Sequence, residues 1–235
     1  MSASQLATLV SIDDISLYPA VNSELIAEAE LALGVCLPTD HRAALHESNG
    51  AQVFGGYFRL FGIGAEASTN LVKWNDPNLW KFAWDTRCSD YVCFAETAWG
   101  DQYAYNKTAL MTGNTEVYFL DCLSMSATPL AATFSDFLRN EFIHCATDPY
   151  DALLKEARQI LGELDTAEHL IYLPSPLLAG AEEITNVQRM NARSAMICNG
   201  DIAIQLDAGP ADGNVKAVLP YEDGEGRMRL QLTWA

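Results

Sequence analysis

The sequence predicts an α+β fold, and three observations carry that prediction. Helical patterning fills residues 22–50, strand-like aromatic and β-branched residues dominate from Val53 to Asp121, and helical spacing returns at Ser135. Elements segregated in this order, rather than alternating strand by helix, point to a central antiparallel sheet with helices gathered against it and hairpins at the C-terminus. At 235 residues, 49% hydrophobic and 19% charged, the chain has a globular balance and can bury a large core without staples.

Taken in order, Asn22 or Ser23 caps a first helix that carries Glu24 in its opening turn and Leu25, Ala29 and Leu33 on one face. Gly34 supplies its stop. After Leu37-Pro38, Thr39 caps a second short helix that Asn49-Gly50 ends. Residues 53–61 read as strand, interrupted by Gly55-Gly56 and closed by Gly62 and Gly64. In residues 65–90, Trp74, Trp80 and Trp84 sit among Asn75, Asp76, Pro77 and Asn78, a turn followed by a short helical or irregular packing segment.

Residues 92–95 form the next strand and enter a turn at Trp99-Gly100-Asp101, after which Tyr103 and Tyr105 alternate as strand residues do. Residues 116–121 make another strand. From Ser135 to Ala146 the chain is helical, with Phe134, Phe137, Leu138 and Phe142 spaced for one face. Asp148 is placed to cap a further helix, Pro149 to occupy its first position, and Leu153, Leu154, Ala157, Leu161 and Leu164 to form its apolar stripe. The remainder reads β-rich. Asn199-Gly200 is a type I′ turn signal between residues 195–198 and 202–206, and two alternating runs ending at Tyr221 and beginning at Met228 flank Asp223-Gly224-Glu225-Gly226. The expected organisation is a domain over 1–148, with a helix and β-rich extension over 149–235 packed on it.

Thirty-one acids against 14 bases give a net charge of −17, spread along the chain. Such a field repels nucleic acid and anionic membranes and steers basic proteins inward, although it also serves solubility alone. No window reaches the ~18 apolar residues of a membrane span. The six cysteines form no CxxC pair, and the opening MSASQLATLVSIDD has neither the basic start nor the apolar run of a signal peptide. Reduced thiols in a cytoplasm are the expectation, with Asn106-Lys107-Thr108 a chance glycosylation sequon.

Catalytic, cofactor and metal motifs are not found. Gly62-Ile63-Gly64-Ala65-Glu66-Ala67 fits the GxGxxA spacing, but the following residues are too Asn/Pro-rich to begin the helix that would meet a pyrophosphate. His41 and His46 are five apart, too far round a helix for paired metal ligands, and His144-Cys145 point to different faces. Asp76, Asp85, Asp90, Glu96 and Asp101 crowd the tryptophan-rich middle. They read either as an acidic, aromatic surface for a cationic partner or as solvated acids between core aromatics. Trp99 and Asp101, at a turn tip, are the first candidates for partner contacts because turns are exposed more often than strands.

Read together, residues 32–50 (ALGVCLPTDHRAALHESNG), 60–64 (LFGIG), 70–76 (NLVKWND), 94–106 (FAETAWGDQYAYN), 116–121 (EVYFLD) and 134–138 (FSDFL) resemble the SUKH superfamily, which contains fungal cell-wall-synthesis regulators and many bacterial immunity proteins. The tail, with LPSPLLAG, NVQRMNA and NGDIAIQL, resembles that of longer bacterial members, although Ala179-Gly180 stands where a glycine pair is common. The resemblance implies an α+β domain without catalysis or cofactor that binds a protein partner, with a basic toxin such as a nuclease the first candidate. A regulator or scaffold with a non-toxin partner is the alternative, and an enzyme the least favoured reading.

Overall fold

The computed structural model describes residues 15–67, 69–210 and 213–235. The sequence reading of MSASQLATLVSIDD lies outside the described residues. A short β1 (Ser16–Leu17) leads to α1 (Ser23–Leu33), which Asn22 caps by accepting the Leu25 N–H at 2.9 Å and which Gly34 ends in a left-handed conformation. In α2 (Thr39–Leu45), Pro38 takes the cap position, so Thr39 is the first helical residue and not the cap.

A meander follows: β2 (Ala51–Val53), β3 (Phe58–Leu60), α3 (Leu71–Trp74), a 3-10 turn over Lys81–Trp84, β4 (Tyr91–Thr97), β5 (Gln102–Asn106), α4 (Lys107–Met111), β6 (Val117–Leu120) and β7 (Ala127–Ala131). β1 to β7 form one antiparallel sheet in sequence order. Short connections make sequential neighbours the easiest pairings. Next, α5 (Phe134–Phe137) runs through a π turn at Leu138–Phe142 into α6 (Ile143–Thr147). Phe134 and Phe137 pack on Phe94, and Phe137 also meets Tyr103, so this helix covers one face of the sheet.

The C-terminal part comprises α7 (Ala152–Leu161), the paired strands β8 (Glu168–Tyr172) and β9 (Val187–Asn191), α8 (Ala192–Ala208), and the hairpin of β10 (Val215–Glu222) and β11 (Met228–Trp234). Two expectations are corrected here. Helix α7 is capped by Asp151, which accepts the Leu153 N–H at 2.8 Å, while Asp148 pairs with Lys155. Asn199-Gly200 is not a hairpin turn but the middle of the 17-residue α8. There Gly200 packs against Ala83, whose carbonyl oxygen would lie 2.8 Å from an added Cβ. Burial of Ala195, Met196, Ile197, Ile202 and Ala203 outweighs the local turn signal.

Candidate functional site

A β-bulge decides what the middle of the sheet presents. The β4–β5 register slips between Cys93 and Ala95, so that Glu96 pairs with Gln102 while Phe94 stacks on Tyr105 at 4.4 Å. Gln102 and Tyr105 lie on opposite faces of β5, so the bulge sends Phe94 into the helix-covered face and Glu96 to the other. Arg59 of β3 is the cross-strand partner of Glu96 on its far side. Arg59, Glu96 and Gln102 thus form a polar row across three strands.

The C-terminal part closes over that row. Arg59 Nη1 lies 3.0 Å from Glu96 Oε1 and donates to the Thr166 carbonyl at 2.9 Å, while Nη2 donates to that of Glu168 and Nε to that of Gly56 at 3.0 Å. His169 Nε2 approaches Glu96 Oε2 to 3.1 Å, although neither ring nitrogen makes a well-directed hydrogen bond. Gln102 donates to Glu96 at 3.3 Å and accepts the Trp74 indole N–H at 2.8 Å. Burial works to raise the Glu96 pKa, but His169, Arg59 and the Gln102 amide outweigh it and hold the carboxyl below its ordinary range. This cluster joins the sheet to the tail and is sealed from solvent.

The candidate contact residues divide. Glu96, Trp99 and Asp101 are only 1%, 7% and 8% exposed. Trp99 stacks on Tyr172 with ring centres 4.6 Å apart and donates its indole N–H to Asp151 at 2.8 Å. Asp101 accepts the Thr97 hydroxyl at 2.7 Å and the Cys122 N–H at 2.8 Å. Burial pushes its pKa up against those two bonds. The expected exposed turn tip is therefore an internal joint: Leu170 of β8 donates to the Ala98 carbonyl at 2.7 Å, and Gly100, at φ 89°, faces Met196 and His169. Asp76, Asp85 and Asp90 are exposed. Their carboxylates enter no ion pair among the described residues.

Trp74, Trp80 and Trp84 are core residues, their indole N–H groups bonded to Gln102, to the Trp74 carbonyl and to the Met196 carbonyl. The glycines of the GxGxxA match serve a structural joint, in which the Asn49 amide accepts the Ile63 N–H at 2.6 Å and donates to the Ile63 carbonyl at 2.8 Å. The helix that follows, α3, has four residues and starts only at Leu71. His41 is sealed in the core, stacked on Phe134 at 4.2 Å and 3.1 Å from the Tyr105 hydroxyl. Burial pushes the thiols of Cys88 and Cys198 up to about 12 and about 11, and those of Cys93, Cys122 and Cys145 up as well, so these cysteines stay protonated near neutral pH. Among the described residues no group of three or more His, Cys, Asp and Glu side chains converges as a metal site, and no helix is long and apolar enough to cross a membrane.

The profile of the SMI1 / KNR4 family (SUKH-1) matches residues 20–140, just over half the chain. The chain belongs to the SUKH family. The match runs from before α1 through β2 to β7 and α5 and ends within the π turn. A crystal structure of Atu4351 from Agrobacterium tumefaciens is similar over 94% of this chain and 94% of that one, with a TM-score of 0.58 and 13% identity. At that identity the likeness is one of fold, and it includes the C-terminal part beyond the SUKH profile. No curated protein matches the chain.

Proposed function

We propose that this SUKH protein is a non-catalytic, cytoplasmic immunity protein that neutralises a basic bacterial toxin by binding it. Membership of a family that includes toxin immunity proteins carries the reading. The charge supports it: −17 overall, with Asp76, Asp85 and Asp90 exposed within one stretch of chain and in no ion pair among the described residues. Exposed carboxylates without a cationic partner raise the association rate with a cationic protein and impose a salt dependence on it. Trp99, Asp101 and Glu96 have no part in that surface, because they are occupied inside the fold. The protonated thiols and the sealed His41 and His169 favour a binding role over a catalytic one.

The test is co-expression with each candidate toxin encoded beside it. Rescue of growth, and a complex that weakens with salt, are expected. Replacing Asp76, Asp85 and Asp90 together by Asn should slow association by about tenfold at low salt while leaving the fold intact. Failure of every neighbouring toxin candidate to bind or be rescued overturns the proposal, and recovery of a single non-toxin partner would assign the fold a regulatory or scaffolding role instead.

A further inference from the structure

In a chain with more than twice as many acids as bases, one cleft is lined by cations and by no carboxylate. It measures about 320 Å3 and lies between α3 and the start of α8, with Thr69, Lys73, Trp74, Leu79, Asn191 and Arg193 in its walls. Lys73 is exposed and, like Arg193, enters no ion pair among the described residues. Arg193 donates from Nε to the Leu79 carbonyl at 2.7 Å. That bond anchors the guanidinium at the cleft wall and leaves its two terminal nitrogens to a ligand.

The 17-residue α8 begins in the same wall. Its Ala192 N–H is taken by the Ala167 carbonyl at 2.7 Å and its Ser194 N–H by the Asn191 side chain at 3.2 Å. Between them the Arg193 N–H has no acceptor among the described residues and faces an incoming one. An independent observation comes from Thr69. The residue is 9% exposed, its hydroxyl is shielded, and it has no hydrogen-bond partner among the described residues. A buried unsatisfied hydroxyl is costly, about 1–3 kcal/mol, and a bound ligand is one way to satisfy it.

We propose that this cleft binds a small phosphate-bearing ligand. Two unpaired cations, a helix N-terminus and a free hydroxyl suit the charge and the several acceptor oxygens of a phosphate. Trp74 and Leu79 offer an apolar wall to its organic part, and the volume suits a ligand of about mononucleotide size or smaller. The site shares no residue with the exposed aspartates, so it stands or falls apart from toxin binding.

The test follows backbone amide resonances of the full chain during titration with inorganic phosphate, a nucleoside monophosphate and acetate at matched ionic strength. Saturable shifts of the Thr69 and Arg193 amides with both phosphates are expected, with the nucleotide binding more tightly. Lys73→Ala, an exposed substitution that spares the fold, should weaken phosphate by about tenfold or more, the loss of one charge-assisted hydrogen bond. Absence of saturation at millimolar phosphate, or unchanged affinity in Lys73→Ala, overturns the site. Acetate binding as tightly as phosphate overturns the phosphate assignment, and a nucleotide no tighter than phosphate overturns the role of Trp74 and Leu79.

Discussion

Nε2 of His169 lies 3.1 Å from a carboxylate oxygen of Glu96, with both side chains sealed from solvent. One residue belongs to the central sheet and the other to β8, so this approach, with the Arg59 guanidinium on the other carboxylate oxygen, locks the C-terminal part onto the sheet. A buried ion pair is a poor source of net stability but expensive to break from one side, since the remaining charge is stranded.

Glu96→Gln keeps the shape of the row and removes its negative charge. The buried Arg59 guanidinium is then left without a counter-ion. The expected result is a loss of about 3–5 kcal/mol in chemical denaturation, with faster amide exchange over residues 164–172. A midpoint close to that of the native protein would show that the charge is dispensable and that packing alone docks the tail.

Acid should unfold the protein in two stages. Burial lowers the His41 pKa from 6.5 to about 3, opposed by nearby Asp40, so the folded chain keeps His41 neutral while the unfolded chain protonates it. The unfolded state therefore binds more protons between about pH 6.5 and 3. Stability is complete above that window and falls through it by up to about 1.4 kcal/mol per pH unit. Glu96, held below its ordinary value of 4.5, adds a second loss that begins only below about pH 4.5. His41→Phe should flatten the profile between pH 6.5 and 4.5, where His41 acts without Glu96, and leave the Glu96 share of the loss below that. Urea midpoints measured across this range decide it, and identical slopes in the two proteins would rule out His41.

Where the periodicity of a segment matched its burial, the sequence was readable: Asn22 caps α1, the Phe134–Phe142 face meets the sheet, and the last two strands pair through the Asp223–Gly226 turn. The misreadings have physical causes. Asn199-Gly200 carries a strong local turn preference, yet α8 needs a residue without a side chain where it crosses Ala83, and tertiary packing prevailed. The orientation of Glu96 depends on a one-residue bulge that the alternation of β4 does not reveal. The cationic cleft was missed because Lys73 and Arg193 are far apart in sequence and belong to no spacing motif; the signal lay only in their shared lack of a carboxylate partner.

Trp99 and Asp101 occupy a hairpin turn, where substitutions are ordinarily tolerated. Here each should behave as a core residue. Trp99→Ala removes the stack on Tyr172 and the indole N–H bond to the Asp151 carboxylate, an expected loss of about 3–5 kcal/mol. Asp101→Ala leaves the Cys122 N–H and the Thr97 hydroxyl without their acceptor, for about 1–3 kcal/mol. Asp101→Asn is the informative companion, because the burial that raises the Asp101 pKa disfavours a charge there, while an amide oxygen still accepts one of the two bonds. It should therefore lose less than Asp101→Ala. Thermal melts of the three variants test this together with binding to whichever partner the co-expression test of the proposed function identifies. Destabilisation with unchanged affinity for the remaining folded protein is expected; a variant that melts like the native chain but binds poorly would return the turn to the interface.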